Sequence, residues 1–219
     1  MEKPRYLIHT CNKRLWYVEK YLLPSMLEQG IKRETIEIYN DVLGEGQIPS
    51  LIKSLNYTYG DTWHLQDDII ISQDFRRMTE AYNDGIVCGF CNSFSKGRPG
   101  YVEMSAMWYS MPCIRIPEKI FTEFIKWLND KDTRKKYVYY FIDNKHDDVF
   151  LEIFLNENYR TTKVHNLAPN IVNHIDHLIG GSLINQDRVK EPFELMATYW
   201  EEPQLLINIE KRLRKEVAK

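Results

Sequence analysis

No apolar stretch in this 219-residue sequence approaches the roughly 18 residues of a membrane-spanning helix, so membrane insertion is not expected. The opening Met1-Glu-Lys-Pro-Arg-Tyr-Leu-Ile-His-Thr10 lacks the long apolar centre of a secretory leader and reads as a first strand. A cytoplasmic location is the expectation. Cysteine is scarce: Cys11, Cys88, Cys91 and Cys113. Cys88-Gly-Phe-Cys91 is a lone CxxC without the second pair that a structural zinc site uses. Reduced, partly buried thiols are therefore expected. Charge of one sign is lacking too. A net charge of −2 excludes a nucleic-acid binder of the uniformly basic kind. Basic pairs such as Lys13-Arg14, Lys32-Arg33 and Arg76-Arg77 read as solvated faces. There is no internal repeat and no low-complexity linker.

What is present suits one core. At 43% apolar, the chain buries a single domain without room for a second. Tyr6-Leu-Ile8, Thr35 to Tyr39, Thr62 to Leu65, Ile86 to Phe90 and Cys113 to Ile116 read as strands. Between them, Val18 to Gln29 has helical spacing, with Pro24 expected to bend or interrupt it, giving two shorter pieces, and Gly30 to stop it. Ser50 to Asn56 reads as a short helix. Glu118 to Leu128 has Ile120, Phe121, Phe124, Ile125 and Leu128 on one face, and Asp147 to Asn156 has Val149, Phe150, Ile153 and Phe154. Such alternation predicts an α/β domain with a mostly parallel central sheet flanked by helices. The main body is expected over residues 1–185. Residues 186–219 should form a helical tail on it, through Leu205, Ile209, Leu213 and Val217.

In open α/β sheets ligands gather at the carboxyl ends of the strands, and three polar clusters belong there. Asp67-Asp68 follows Trp63-His64-Leu65. Adjacent carboxylates repel, and a divalent cation with hard oxygen ligands, Mg2+ or Mn2+, relieves them; a solvated loop pair is the bland alternative. His146-Asp147-Asp148 opens an amphipathic helix, where acids complement the helix dipole and cap free amides. That accounts for one of the two acids better than for both. The third cluster is Pro169-Asn-Ile-Val-Asn-His174-Ile-Asp-His177.

The order of these clusters resembles the GT-A class of glycosyltransferases. Leu65-Gln66-Asp67-Asp68-Ile69 with Ser72-Gln73-Asp74-Phe75 resembles the stretch holding their DxD motif. His146-Asp147-Asp148 resembles their xED motif, and Pro169 to His174 with Ser182-Leu183 resembles a segment near the end of many such enzymes. The likeness runs from about Tyr6 to Leu183 and implies a single GT-A, Rossmann-like domain. It implies Asp68 as principal metal ligand, Asp67 beside it and His174 as a further ligand for Mn2+ or Mg2+. It implies Asp148 as general base, oriented by Asp147. It also implies His9, Thr10, Arg14, Asn40, Asp41 and Gln66 around a nucleotide-sugar donor, with a UDP-sugar favoured. Gln66 stands where the class often has an acid.

The reaction so implied is displacement at the anomeric carbon, with inversion expected and retention the alternative. Acceptor contacts are expected between Ser93 and Trp108, where Tyr101 and Trp108 offer stacking faces. Small enzymes resembling this one also occur in bacteriophages, where hydroxymethylated pyrimidines in DNA are acceptors; a glycan or a protein is the alternative. Two other classes share parts of the pattern: a nucleotide-sugar binding module without turnover, and a metal-dependent phosphohydrolase. The Asp147-Asp148 pair argues against the first, and the second leaves Asn40-Asp41 unexplained.

Overall fold

The computed structural model describes residues 5–44, 46–56, 60–90, 100–104, 111–143, 147–160, 162, 164–168, 170–175, 179 and 215. Among them, strands β1 (Arg5–Cys11), β2 (Ile36–Asp41), β3 (Thr62–Gln66), β5 (Ile86–Cys88), β6 (Gly100–Met104), β7 (Cys113–Ile116) and β8 (Val164–Ala168) form one sheet, ordered β2-β1-β3-β7-β5-β8-β6. Strands β2, β1 and β3 are mutually parallel, and β5 and β8 share their direction. Only β7 and β6 run against it. The fold is α/β with a mostly parallel central sheet flanked by helices, as the alternation predicts.

Both faces of the sheet are covered, which explains why its strands are apolar runs rather than half-polar alternations. On one face Tyr6, Ile8, Trp63, Leu65, Val87 and Leu167 pack with Tyr17, Val18, Leu22, Met26, Phe75 and Met78. These belong to α1 (Leu15–Tyr17), a π-helical turn (Val18–Leu22), α2 (Leu23–Glu28) and α4 (Phe75–Ala81). On the other face Ile86, Cys88, Ile114 and Ile116 meet α3 (Gln47–Leu55), α5 (Glu118–Asn129) and α8 (Asp147–Asn158). Beyond α5, α6 (Lys131–Lys136) and α7 (Val138–Asp143) pack Tyr137, Tyr140 and Phe141 against Trp127 and Phe150.

The α-helical pattern is interrupted just before Pro24, as expected, but by a π-helical turn rather than by a gap between two pieces. The Leu23 N–H reaches back to the Val18 carbonyl, five residues away, so the chain passes from Leu15 to Glu28 through the π-helical turn without a break. The next residue, Pro24, has no N–H for Lys20, and the wider turn absorbs that missing bond. Helix α3 begins at Gln47, earlier than the expected Ser50. Pro49 sits in its first turn, where an N–H has no helical partner anyway, and Gly46 makes the entry at φ 98°.

Strands β4 (Ile69–Ile71) and β9 (Val172–His174) were not expected. They form a small antiparallel sheet pairing Ile69 with His174. Backbone bonds run from Ser72 N to Ile171 O, Ile171 N to Gly89 O and Gly89 N to Cys113 O, at 2.8, 2.9 and 2.8 Å, and lace this sheet to the main one. Gly89 is required by that approach. A Cβ there would stand 2.6 Å from Cys113 Sγ and 2.9 Å from Ile171 Cγ1. Cys88 and Cys113 are buried and in no disulfide among the described residues, as expected of reduced thiols, while Cys91 lies outside those residues. So do Ser182, Leu183 and the proposed tail stripe at 205, 209, 213 and 217.

Gly89→Ala is expected to lower the free energy of unfolding by about 1–3 kcal/mol, the usual cost of overpacking a tight contact. Urea unfolding followed by tryptophan fluorescence reads this directly, and an unchanged midpoint would contradict the close approach.

Candidate functional site

From β1 the chain moves outward to β2 on one side, then returns to β3 on the other. The strand order therefore reverses between β1 and β3, and the carboxyl ends of those two strands bound the crevice where open α/β sheets take ligands. His9 pairs with Gln66 in the last shared register of β1 and β3. Thr10, Arg14, Asp67 and Asp68 follow at the rim.

These four make one buried cluster. The turn after β1 is closed by Arg14 N–H donating to the Cys11 carbonyl at 2.9 Å. Arg14 Nη1 then reaches Asp67 Oδ1 at 2.9 Å and Asp68 Oδ2 at 2.5 Å. Thr10 Oγ1 donates to Asp67 Oδ2 at 2.9 Å. His174 Nε2 lies 3.2 Å from Asp68 Oδ2, carried there by β9, and the Ile175 N–H binds the Asp68 carbonyl at 2.8 Å. Tyr17, fully buried below, donates its hydroxyl to Ile69 O at 2.7 Å and fixes the strand that leaves the aspartate pair. Arg14, Asp67 and Asp68 are 4%, 6% and 8% exposed, so their charges interact with little screening by water.

The repulsion between Asp67 and Asp68 is thus relieved from within the protein. A guanidinium bridges both carboxylates, where sequence reasoning looked to a divalent cation. The two aspartates separate electrostatically. Burial and the charge of Asp68 push Asp67 up to about 6 against the pull of Arg14 and Thr10. Burial would raise Asp68 as well, but His174 and Arg14 more than offset it and hold that carboxyl well below the usual range. Asp68 is the more acidic member of the pair.

Does this donor set fit a metal ion? Both oxygens of Asp67 and one of Asp68 are already engaged. Asp68 Oδ1 is buried with no hydrogen-bond partner among the described residues. Among the described residues no three acidic, histidine or cysteine side chains converge as a ready-made cage. One free carboxylate oxygen and a nearby imidazole fit Mg2+ or Mn2+ in the manner of ions that complete their shell with substrate phosphates and water. They do not fit a metal held by protein alone.

The other expected site residues take varied places. His9 Nε2 and Ser50 Oγ are hydrogen-bonded at 2.6 Å, tying β1 to α3, and burial lowers His9 to about 4 against the charges of Asp41 and Asp68. Asn40 Nδ2 donates to Asn12 Oδ1 at 2.8 Å, and Asp41 Oδ1 accepts from Gly44 N–H at 2.9 Å. Asp41 thus shapes the turn into α3, a role the sequence did not suggest. Gln66 ends β3, half-buried, its N–H bound to the Pro112 carbonyl. Beyond β2, Val42 and Leu43 are exposed apolar side chains.

Asp147 and Asp148 open α8, which leads into β8. Because β8 runs with β1, a helix returning over the sheet to it begins at the carboxyl edge, the edge that holds the aspartate pair. Asp148 Oδ1 accepts from the Val149 N–H at 2.8 Å. Glu152, one turn on, has its carboxyl raised by burial and by the charge of Asp148, and no sequence motif singled it out. Tyr101 is in strand β6. Trp108 and His146 lie outside the described residues.

No protein-family model matches the chain, and no curated protein sequence does. Among solved structures, it is similar to an inositol-1-phosphate CTP transferase from T. maritima, at 10% identity and a TM-score of 0.44, over 80% of this chain and 90% of that one. It is also similar to a glycosyltransferase involved in glycosylation of the major capsid of PBCV-1, at 12% identity and a TM-score of 0.32, over 74% and 92%. No helix among the described residues is long and apolar enough to cross a membrane.

The site sits above two histidines that resist protonation. His64, buried and stacked on Phe121 at 4.5 Å, is lowered by desolvation to about 3. Both His9 and His64 have folded values below the unfolded 6.5, so the unfolded chain binds their protons first and stability falls as the pH drops below 6.5. Asp67 acts oppositely. Its raised value means that the folded chain takes a proton first, which adds stability between about pH 6 and 4. Two protons against one leave a net loss of about 2 kcal/mol between pH 7 and pH 5. Urea titrations at the two values check the sign, and His64→Leu should remove most of the loss. Equal stability at both would contradict it.

Proposed function

We propose that this chain transfers a sugar from a nucleoside-diphosphate sugar, UDP favoured, to an acceptor hydroxyl. The observation that carries the reading is the gathering of Thr10, Arg14, Asp67, Asp68 and His174 at the carboxyl ends of β1 and β3, where strand order reverses. The rim from Asn40 to Leu43 supports a nucleoside: an amide and a carboxylate for its polar edge, and the exposed Val42 and Leu43 for its flat face. The diphosphate then lies towards the β1–β3 crevice, within reach of the Arg14 guanidinium, whose planar fork suits phosphate oxygens.

Asp68, through Oδ1, and His174 are the residues that would hold a Mg2+ or Mn2+ ion arriving with the donor. Such an ion supplies charge neutralisation for the departing diphosphate. The remaining work belongs to side chains. Asp148, on the first turn of α8, takes the proton of the acceptor hydroxyl as that oxygen attacks the anomeric carbon. The new carbon–oxygen bond forms on one face while the bond to the β-phosphate oxygen breaks on the other. Its electron pair leaves with the nucleoside diphosphate, and the configuration inverts. Asp147 belongs to the same helical turn and is assigned to orienting the base. Tyr101 and Trp108 remain the assigned acceptor contacts.

The test is nucleoside diphosphate release from a panel of nucleotide sugars with Mn2+, using glycans, peptides and hydroxymethylated-pyrimidine DNA as acceptors. Asp148→Asn is expected to lower turnover at least 100-fold with donor affinity unchanged, the scale on which general bases act. Donor binding without acceptor-dependent release on any of these acceptors would leave a binding module. Inorganic phosphate as the product would indicate a phosphohydrolase.

A further inference from the structure

We infer that Arg14 is a resident counter-cation that closes the aspartate pair to a free divalent ion, so that metal enters this site only together with a nucleoside diphosphate. The inference rests on the proposed reading of Asp68 as the cation ligand. It adds an order of binding, and a residue that enforces it.

One guanidinium nitrogen, Arg14 Nη1, contacts both carboxylates, at 2.9 Å to Asp67 and 2.5 Å to Asp68. That is the position between two acidic groups at which a bridging metal would sit. All three side chains are withdrawn from water, so a second cation at Asp68 Oδ1 would meet the guanidinium with little screening. The two carboxylates and the one guanidinium sum to a net charge of −1. A single net negative charge, already spread over four oxygens, is a poor reason for Mg2+ or Mn2+ to shed water. A diphosphate changes the sum. Its oxygens give the guanidinium a second set of acceptors and give the cation a ligand shell that the protein lacks among its described residues. Arg14 begins α1 at the turn after β1, so its backbone is fixed while its long side chain can exchange partners.

Arginine is suited to this role because it stays charged at any physiological pH. The carboxylates therefore remain oriented without a metal, and the nucleotide-free protein does not depend on one for its shape.

The experiment uses Mn2+ alone, titrated into nucleotide-free protein and followed by electron paramagnetic resonance. Wild type should leave the Mn2+ signal that of the free ion. Arg14→Gln should bind Mn2+ at least tenfold more tightly than wild type, and adding Asp68→Asn to that variant should abolish the gain. Arg14→Lys, which keeps a cation in place, should behave like wild type. Wild type and Arg14→Gln binding Mn2+ equally would overturn the inference, as would a gain that survives the loss of Asp68. Arg14→Gln leaves two buried carboxylates uncompensated and is expected to melt early. In that case Mn2+, added without nucleotide, should raise its melting temperature and leave wild type unmoved; a variant that Mn2+ does not stabilise counts against the inference. A protein that binds no nucleotide sugar would sink the transferase reading, whereas this metal-only titration reads Arg14 by itself.

Discussion

The contact between Arg14 and the two aspartates is the interaction on which the rest of the rim depends. Two carboxylates adjacent in sequence and nearly dry would not both stay ionised without it. Removing one partner of such a buried set typically costs several kcal/mol, because the remaining charges are left uncompensated. Thr10 and His174 extend the network in opposite directions, one along β1 and the other to the small β4–β9 sheet. Three segments distant in sequence are thereby fixed at one edge: the turn after β1, the end of β3, and β9.

The chemistry at that edge follows from the placement. Asp68, kept ionised by His174 and Arg14, is a fixed negative charge with one uncommitted oxygen. Asp67, with both oxygens held, acts as a brace. The helix bearing Asp148 starts at the same edge because it must return over the sheet before β8. Asp68, the guanidinium of Arg14 and the acids that open α8 are the groups on which the proposed transfer rests, with the end of β2 proposed for the nucleoside.

Much of the architecture was legible in the sequence because strands buried on both faces appear as compact apolar runs. Tyr6-Leu-Ile8, Thr62 to Leu65 and Cys113 to Ile116 are of this kind, and Glu118 to Leu128 shows its buried face at helical spacing. Three-residue strands were not legible. Ile69–Ile71 carries the right residue types, but its partner Val172–His174 lies about a hundred positions away, and only the folded chain makes the pair. The interruption at Pro24 was legible, but not its form. At Pro24 the chain widens one helical turn instead of breaking the helix. The resemblance named candidate site residues by kind and by order, yet the relation among them was not legible. Nothing local indicates that Arg14 closes on a carboxylate pair 53 and 54 residues further on, or that Asp41 turns back to hold the Gly44 amide. The resemblance pointed to the carboxylates, and the fold supplied their counter-ion.

The central claim is that the β1–β3 crevice is where a nucleoside diphosphate binds. The most direct measurement is amide-resolved NMR of the labelled protein on addition of UDP, first with Mg2+ and then with paramagnetic Mn2+. The account predicts shifts confined to the carboxyl ends of β1, β2 and β3 and the entry to α3. It also predicts Mn2+ broadening centred on Asp68 and His174. Shifts elsewhere on the sheet, or none at saturating UDP, would contradict it.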